Sequence, residues 1–490
     1  MASEVEKEEW TGGEVLFAGG TDWAKIARGG SSKKQTDQEK MAEAERKQLY
    51  PDQLAPVRLK SLVGVKVMFV AAGSGACHSI IGDAAGKCYT WGRNEACRGQ
   101  LGHGDLLQRN VPTIIKKLSG KRVIAGAGGK HHSAVVTSDG ESYTFGSNLY
   151  GQCGTGSLKS KDKVEELIQS PVLASVSNCD DVSCGVEFTM WLCDGKVFSA
   201  GLPQYGQLGH NTDHEYNAKD SSVKLMYAPQ PQPKQIQALS QFTVTKVACG
   251  QNHTLALTQE GQAFSWGNGG YGRLGHVKQQ DEFKPRNIET FNQRVPVAPD
   301  VAACSTTATF CVVQVGGQVY ACGKWKSSGD NTMYPKAFMD LQGWNIRHMA
   351  AGASHYAVAA DQSTITWGQA GNGELGYGPS GKKSSANPDK VYALEGVHTH
   401  QVACGIGHTL FLVKPGSKQV EDLEVYEPAV AEEEALPEPE AAPAAKGKGK
   451  AAAGKGKAKA ATGKAAAGKR KAEDGEEGAA APKGRGRAKK

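Results

Sequence analysis

The sequence predicts an all-β fold: a closed seven-bladed β-propeller, its last blade completed by an N-terminal strand, followed by a disordered C-terminal tail. Three observations predict it. One string recurs seven times. A second recurs six times in step with it and has its seventh copy near the opposite end of the chain. A third, proline-led string also recurs seven times. Repeats of this length cannot bury their apolar faces alone and must stack. A final repeat split between the two ends makes sense only if the stack closes into a ring, which leaves few exposed strand edges.

The first string is a strand running into a small residue, a glycine and then often a histidine: VAAGSGACHS, GAGGKHHSAV, VSCGVEFTMW, VACGQNHTLA, VAACSTTATF, MAAGASHYAV and VACGIGHTLF. Its glycine slot is read as Gly73, Gly128, Gly185, Gly250, Gly352 and Gly405, with Cys304 standing there once, at spacings of 48 to 65 residues. The second string is a strand ending in glycine: GKCYTWG, GESYTFG, GKVFSAG, GQAFSWG, GQVYACG and STITWG. Aromatic and β-branched residues alternate there with small or polar ones, the pattern of a half-buried strand. The seventh copy is Gly13-Glu14-Val15-Leu16-Phe17-Ala18-Gly19. Glycine-rich turns such as GQLGHGD, GQCGTGS and GRLGHVK often follow. The third string begins at Pro56, Pro112, Pro171, Pro233, Pro285, Pro335 and Pro388. Proline suits the start of an edge strand, where no ladder N–H is needed. The organisation read from this is a flexible N-terminus over 1–12, the propeller over 13–413, an acidic Pro/Ala linker over 414–445 and a basic Lys/Ala/Gly tail over 446–490.

Composition agrees. Of 490 residues, 39% are hydrophobic and 62 are glycine, which suits many short strands joined by tight turns. The net charge of +7 is unevenly spread: the last 45 residues carry +11, and the rest of the chain −4. The 12 cysteines include no C-x-x-C pair, and MASEVEKEEW lacks the basic and apolar regions of a signal peptide. No run approaches the roughly 18 apolar residues of a membrane span. The expectation is a soluble monomer with reduced thiols.

Gly267-Asn268-Gly269-Gly270-Tyr271-Gly272 spells G-x-G-x-x-G, a dinucleotide-binding pattern when it joins a strand to a helix. Here it opens no helix and recurs as a turn in most repeats, so it is read as backbone geometry rather than a cofactor site. His78, His132, His253, His355 and His408 share one repeat position, which Phe188 and Thr307 or a neighbour fill elsewhere. With one histidine per repeat and no short ligand spacing, metal is not expected. Each histidine is expected to bond the backbone of its own blade. Cys184, Cys249 and Cys404 exchange with Ala72, Ala127, Ala303 and Ala351, as small buried residues do. Trp91, Trp266 and Trp367, with Phe145, read as core. No nucleophile elbow, H-E-x-x-H or carboxylate pair is present, so neither an enzyme active site nor a cofactor is expected.

W-G-x-N-x-x-G-Q-L-G-H-G and A-C-G-x-N-H-T-L-A-L resemble the repeats of the regulator of chromosome condensation family. The likeness covers about Gly13 to Val413 and is greatest to the branch of the family's second regulator, on LPQYGQLGHNTD, FSWGNGGYGRLGH, TMYPKAFMDLQGW and STITWGQAGNGELGYG. The resemblance implies a scaffold that binds proteins on its faces. The founding member is a guanine-nucleotide exchange factor for the small GTPase Ran and docks on chromatin. The second is associated with mitosis, centromeres, spindle microtubules and GTPases of the Rac and Arf type. An interaction scaffold of cell division is therefore expected, with an active, non-enzymatic exchange factor and a microtubule or cytoskeletal adaptor as alternatives.

Loops on a rigid scaffold carry specific contacts, and two irregular stretches stand out. The longest repeat holds an insertion at Asn211, Asp213, His214, Glu215 and Tyr216, continuing through Lys234, a candidate small-GTPase contact. DQEKMAEAERKQL reads as a charged helix inserted before the first outer strand. The tail has almost no large apolar residues and cannot bury a core. Gly463 to Lys469 spells most of a P-loop, but Arg470 replaces the hydroxyl residue and no strand precedes it. Lys464, Lys469, Arg470 and Lys471 form a nuclear-localisation cluster. Arg485 and Arg487 resemble the core of an A·T-hook, with Lys489 and Lys490 beyond, although Ala488 stands where that motif has proline. Binding to chromatin, DNA or RNA is expected to be sequence-independent, with a log–log salt slope of about −0.9 per phosphate. The same tail could meet acidic tubulin. The expected location is the nucleus, at nucleolus or chromosomes, with spindle and cytoplasm as further sites.

Overall fold

Each repeat folds into a blade because its four short runs of β-branched, aromatic and small residues are punctuated by turn glycines. The computed structural model describes residues 10–28, 37–94, 98–156, 158, 166–219, 222–293, 301–313, 318–326 and 328–429. Blade one consists of Val67–Ala71, His78–Asp83, Cys88–Gly92 and Arg109–Ile114, hydrogen-bonded in that order and antiparallel. Blades two to six repeat this over 123–173, 179–235, 244–287, 301–337 and 346–390. The first strands touch their neighbours around a closed ring.

The ring is sealed as the sequence predicts. Thr399–Cys404 and His408–Val413 are joined by the N-terminal strand Glu14–Gly19, which pairs from Glu14↔Val413 to Gly19↔His408. Gln53–Leu59 completes blade seven. The chain does not stop at Val413. A short helix, Lys418–Glu421, leads to Val425–Tyr426, which pairs in parallel with Arg58 and Leu59 as a fifth strand. At the other end, Trp10 stacks on His400 with ring centroids 3.9 Å apart.

All seven prolines of the third string lie in the fourth strands of their blades, but mid-strand rather than at the start. In every blade the register against the third strand slips across the proline, as between Lys234 and Gln230 around Pro233. The residue without an N–H occupies the point where the ladder is already broken.

The glycine closing each third strand has one cause in all seven blades. Gly19, Gly92, Gly146, Gly201, Gly267, Gly323 and Gly368 have φ between 96° and 127°. A Cβ at any of them would lie within 2.6 Å of the carbonyl oxygen just before the second strand. Gly267, which opens the dinucleotide-like spelling, is one of these, and it leads into only a single 3-10 turn, Gly270–Gly272. Gly267→Ala should therefore cost at least about 2 kcal/mol, from an unfavourable φ and overlap with backbone. Urea unfolding reads this as a lowered midpoint, and an unchanged midpoint would refute it.

In five blades the turn that follows locks the blade to the next. Leu101, Cys153, Leu208, Leu274 and Leu375 are buried. Their carbonyls accept from Thr90, Thr144, Ser199, Ser265 and Thr366 of the third strand at 2.6–2.8 Å. In G-x-L-G-H, the histidines His103, His210 and His276 bond that same hydroxyl.

Candidate partner-binding face

The alternating strands place the first turn of every blade and the long connection between its third and fourth strands on one face. Beneath the first turns runs a belt of histidines. Each ring reaches out of its own blade: Nε2 meets Ser133 from His78 (2.7 Å), Thr189 from His132 (2.9 Å), Thr309 from His253 (2.9 Å), Thr409 from His355 (3.0 Å) and Ser79 from His408 (2.9 Å). The expectation of a bond to the blade's own backbone is thus corrected, because the ring lies across the seam between blades. Ser133, Thr189 and Thr409 donate onward to carbonyls of the preceding blade at 2.7–2.8 Å, so the imidazole Nε2–H is the donor to them. Nδ1 of all five has no partner among the described residues. Burial holds the rings neutral, with His78 pushed down to about 4, His132 and His408 to about 3, and His253 and His355 also lowered.

Two blades lack the histidine. Phe188 fills the place in blade three, and in blade five it is Ala308, the neighbour of Thr307, paired with Gly323. The next blade compensates for Ala308: Tyr356 stands where the hydroxyl residue is elsewhere, and its ring packs on Phe310. Two slots of the first string also shift. Gly129, not Gly128, makes the turn bond to His132, and Ser305 makes it in blade five, which leaves Cys304 aligned with Cys184, Cys249 and Cys404. These cysteines are buried, and burial raises each thiol far above its ordinary range. Trp91, Trp266, Trp367 and Phe145 are buried, as expected of core. The first strands line an axial cavity of about 540 Å³, in whose wall the Lys246–Asp181 ion pair joins blades three and four at 2.8 Å.

The insertion leaves this face from blade three as a separate hairpin, Glu215–Asn217 against Leu225–Tyr227. Its base is built by local polar bonds. Asn211, with φ 63°, donates its N–H to Phe283 O of blade four at 2.7 Å. Asp213 accepts from Glu215 N, and the Thr212 hydroxyl accepts from His214 N, itself at φ 52°. Asn217 Oδ1 accepts from Lys224 N at 2.8 Å. Such a two-stranded ribbon is marginal alone, yet it displays Tyr216 at 46% exposure, Val223 at 79%, Leu225 at 50% and Met226 at 40%. Of the residues read from the sequence, Tyr216 is exposed on the ribbon, while Asn211, Asp213 and His214 shape its base. Val223, Leu225 and Met226 were missed. The run VKLMY was the available signal. The helical reading of DQEKMAEAERKQL matches Asp37–Leu49, held by Arg46 to Asp22 at 2.7 Å and Lys25 to Glu43 at 2.7 Å. Lys464, Lys469, Arg470, Lys471, Arg485, Arg487, Lys489 and Lys490 lie outside the described residues. No described helix is long and apolar enough to cross a membrane.

Seven blades sealed by an N-terminal strand, with glycine turns bridging five of the seams, define a class of propeller, and the chain belongs to it: the RCC1-like domain family matches residues 98–420. Within that family the chain belongs with the RCC2 proteins. It is 38% identical over 421 residues to the RCC2 homolog of Xenopus laevis, covering 83% of this chain and 79% of that one. To human RCC2 it is 37% identical over 434 residues, covering 85% and 80%. Among solved structures it is similar to Prp20p of Saccharomyces cerevisiae, described with its binding properties to Gsp1p and histones. That likeness has a TM-score of 0.63 and 19% identity, covers 84% and 94% of the two chains, and bears on the fold.

Proposed function

We propose that this protein is an interaction scaffold of cell division whose blade-three hairpin engages a small GTPase and whose basic tail holds chromosomal nucleic acid. One observation carries the reading: four large apolar side chains are displayed on a small ribbon standing clear of a rigid ring. Tyr216 and Met226 pair across one face of the ribbon and Leu225 stands on the other, and exposed apolar side chains of this size favour a partner that covers them. The structure of Prp20p, described with its binding properties to Gsp1p and histones, supports partners of these kinds. Exchange activity would need no active site. It follows if the hairpin and face bind the nucleotide-free GTPase better than the loaded form.

The test is capture from extract by the full chain, with and without magnesium chelation, against the double variant Leu225→Ser/Met226→Ser. A GTPase of the Ran, Rac or Arf type retained by the wild type is expected to bind the variant at least tenfold more weakly, a loss of about 1.4 kcal/mol or more. The melting temperature should not move, since these residues are exposed. Retention only after chelation would identify the exchange substrate. Undiminished capture by the variant would overturn the hairpin assignment. Loss of DNA binding and nuclear retention on removing 446–490 is expected in parallel.

A further inference from the structure

Five blades carry the G-x-L-G or G-x-C-G turn that plugs the seam to the next blade. Blade five does not. Its connection between Gly323 and Thr332 has eight residues, against fourteen between Gly267 and Glu282 in blade four. Ala321 stands where Thr90, Thr144, Ser199, Ser265 and Thr366 hold the turn elsewhere. Blade seven also lacks the turn, but there Trp23 and Ile26 are buried in the seam. In blade five, Trp325 takes this place only in part. It leans on Phe310 and Phe338 at 6.1 and 5.7 Å and remains only partly buried.

What remains is a cavity of about 550 Å³ between blades five and six, opening on the same face as the hairpin. Its apolar side is Trp325 and the edge of Tyr356, and its rim is Tyr271, 43% exposed and held at φ 61°. Its polar side carries one ammonium together with hydroxyl and amide groups that can donate. The Lys324 ammonium has no ion pair among the described residues, whereas Lys326 is committed to Asn387 at 3.0 Å and Asp340 at 3.6 Å. The side chains of Ser354 and Gln369 likewise have no hydrogen-bond partner among the described residues. No acidic residue lines the cavity.

We propose that this cavity binds an acidic peptide segment of a partner protein, seating one carboxylate side chain at Lys324 and a neighbouring aromatic side chain against Trp325. A volume in the usual range for ligand pockets accommodates two such side chains. One uncommitted ammonium is a point charge that matches a single carboxylate rather than a doubly charged phosphate. Gln369 and Ser354 supply the donors that would otherwise remain with water. The site is distinct from the hairpin and does not depend on it.

The test uses the full chain and fluorescent peptides with a central Glu-Phe, Gln-Phe or phosphoserine-Phe pair, read by anisotropy. The Glu-Phe peptide should bind, and its affinity should fall about tenfold or more on changing Glu to Gln, on Lys324→Gln, and on Ser354→Trp, which fills the mouth. Leu225→Ser/Met226→Ser should leave it unchanged. Equal binding of the Glu and Gln peptides, tighter binding of the phosphoserine peptide, or unchanged affinity in a folded Lys324→Gln protein would each overturn the proposal.

Discussion

Acidification from pH 8 to 5.5 is expected to cost this protein several kcal/mol of stability, through histidines that bind nothing but the next blade. His78, His132 and His408 are neutral in the fold down to about pH 4, 3 and 3, while in the unfolded chain they titrate near 6.5. Between those values the unfolded state binds more protons, so stability rises with pH across the window and falls as pH drops below 6.5. At pH 5.5 each contributes a loss of about 1.4 kcal/mol, and the three together about 4 kcal/mol, out of the ~5–15 kcal/mol typical of a folded protein. His253 and His355 shift in the same direction, as do His103, His210 and His276 of the bridging turns. A urea midpoint that stays constant from pH 8 to 5.5 would sink the prediction. Replacing His132 by Phe, already tolerated as Phe188 in blade three, should remove about one proton from the slope.

Truncating the chain before Gly20 should prevent folding altogether. Glu14–Gly19 is an inner strand of blade seven, paired on both edges. Without it, the His408–Val413 edge and the buried Leu410, Phe411 and Leu412 would face water, and the ring would be open. The single change Phe17→Ala tests the same seam more gently. Phe17 is 1% exposed and packs on Trp23 and His408 at 6.1 and 6.0 Å. A cost of about 3–5 kcal/mol is expected. Circular dichroism melting and gel filtration read both changes. A truncated chain that melts sharply at the wild-type temperature would show that the ring does not depend on this strand.

Much of this was legible from residues alone. The strings placed every blade, and the orphan copy at Gly13 to Gly19 revealed the closure, because a β-repeat with one strand missing has nowhere else to obtain it. Glycine against aromatic was readable for the same reason: only glycine adopts the backbone of Gly267, and only burial explains a Trp at a fixed repeat position. The slips were at single-residue scale. Gly128 and Gly129 are both glycine, and only the bond to His132 chooses between them. Cys304 looked like an intruder in a glycine slot until strand pairing aligned it with the other cysteines.

The sequence by itself determined the repeat number, the all-β architecture, the sealing of the ring and the basic character of the tail, because these are set by local period, turn chemistry and composition. Only the tertiary structure decided where the histidines point, that Leu225 and Met226 join Tyr216 on one ribbon, and that the short blade-five connection leaves a cavity beside Lys324. Those features arise between blades or across a hairpin, from residues tens of positions apart whose meeting depends on register and packing, and no local pattern encodes them.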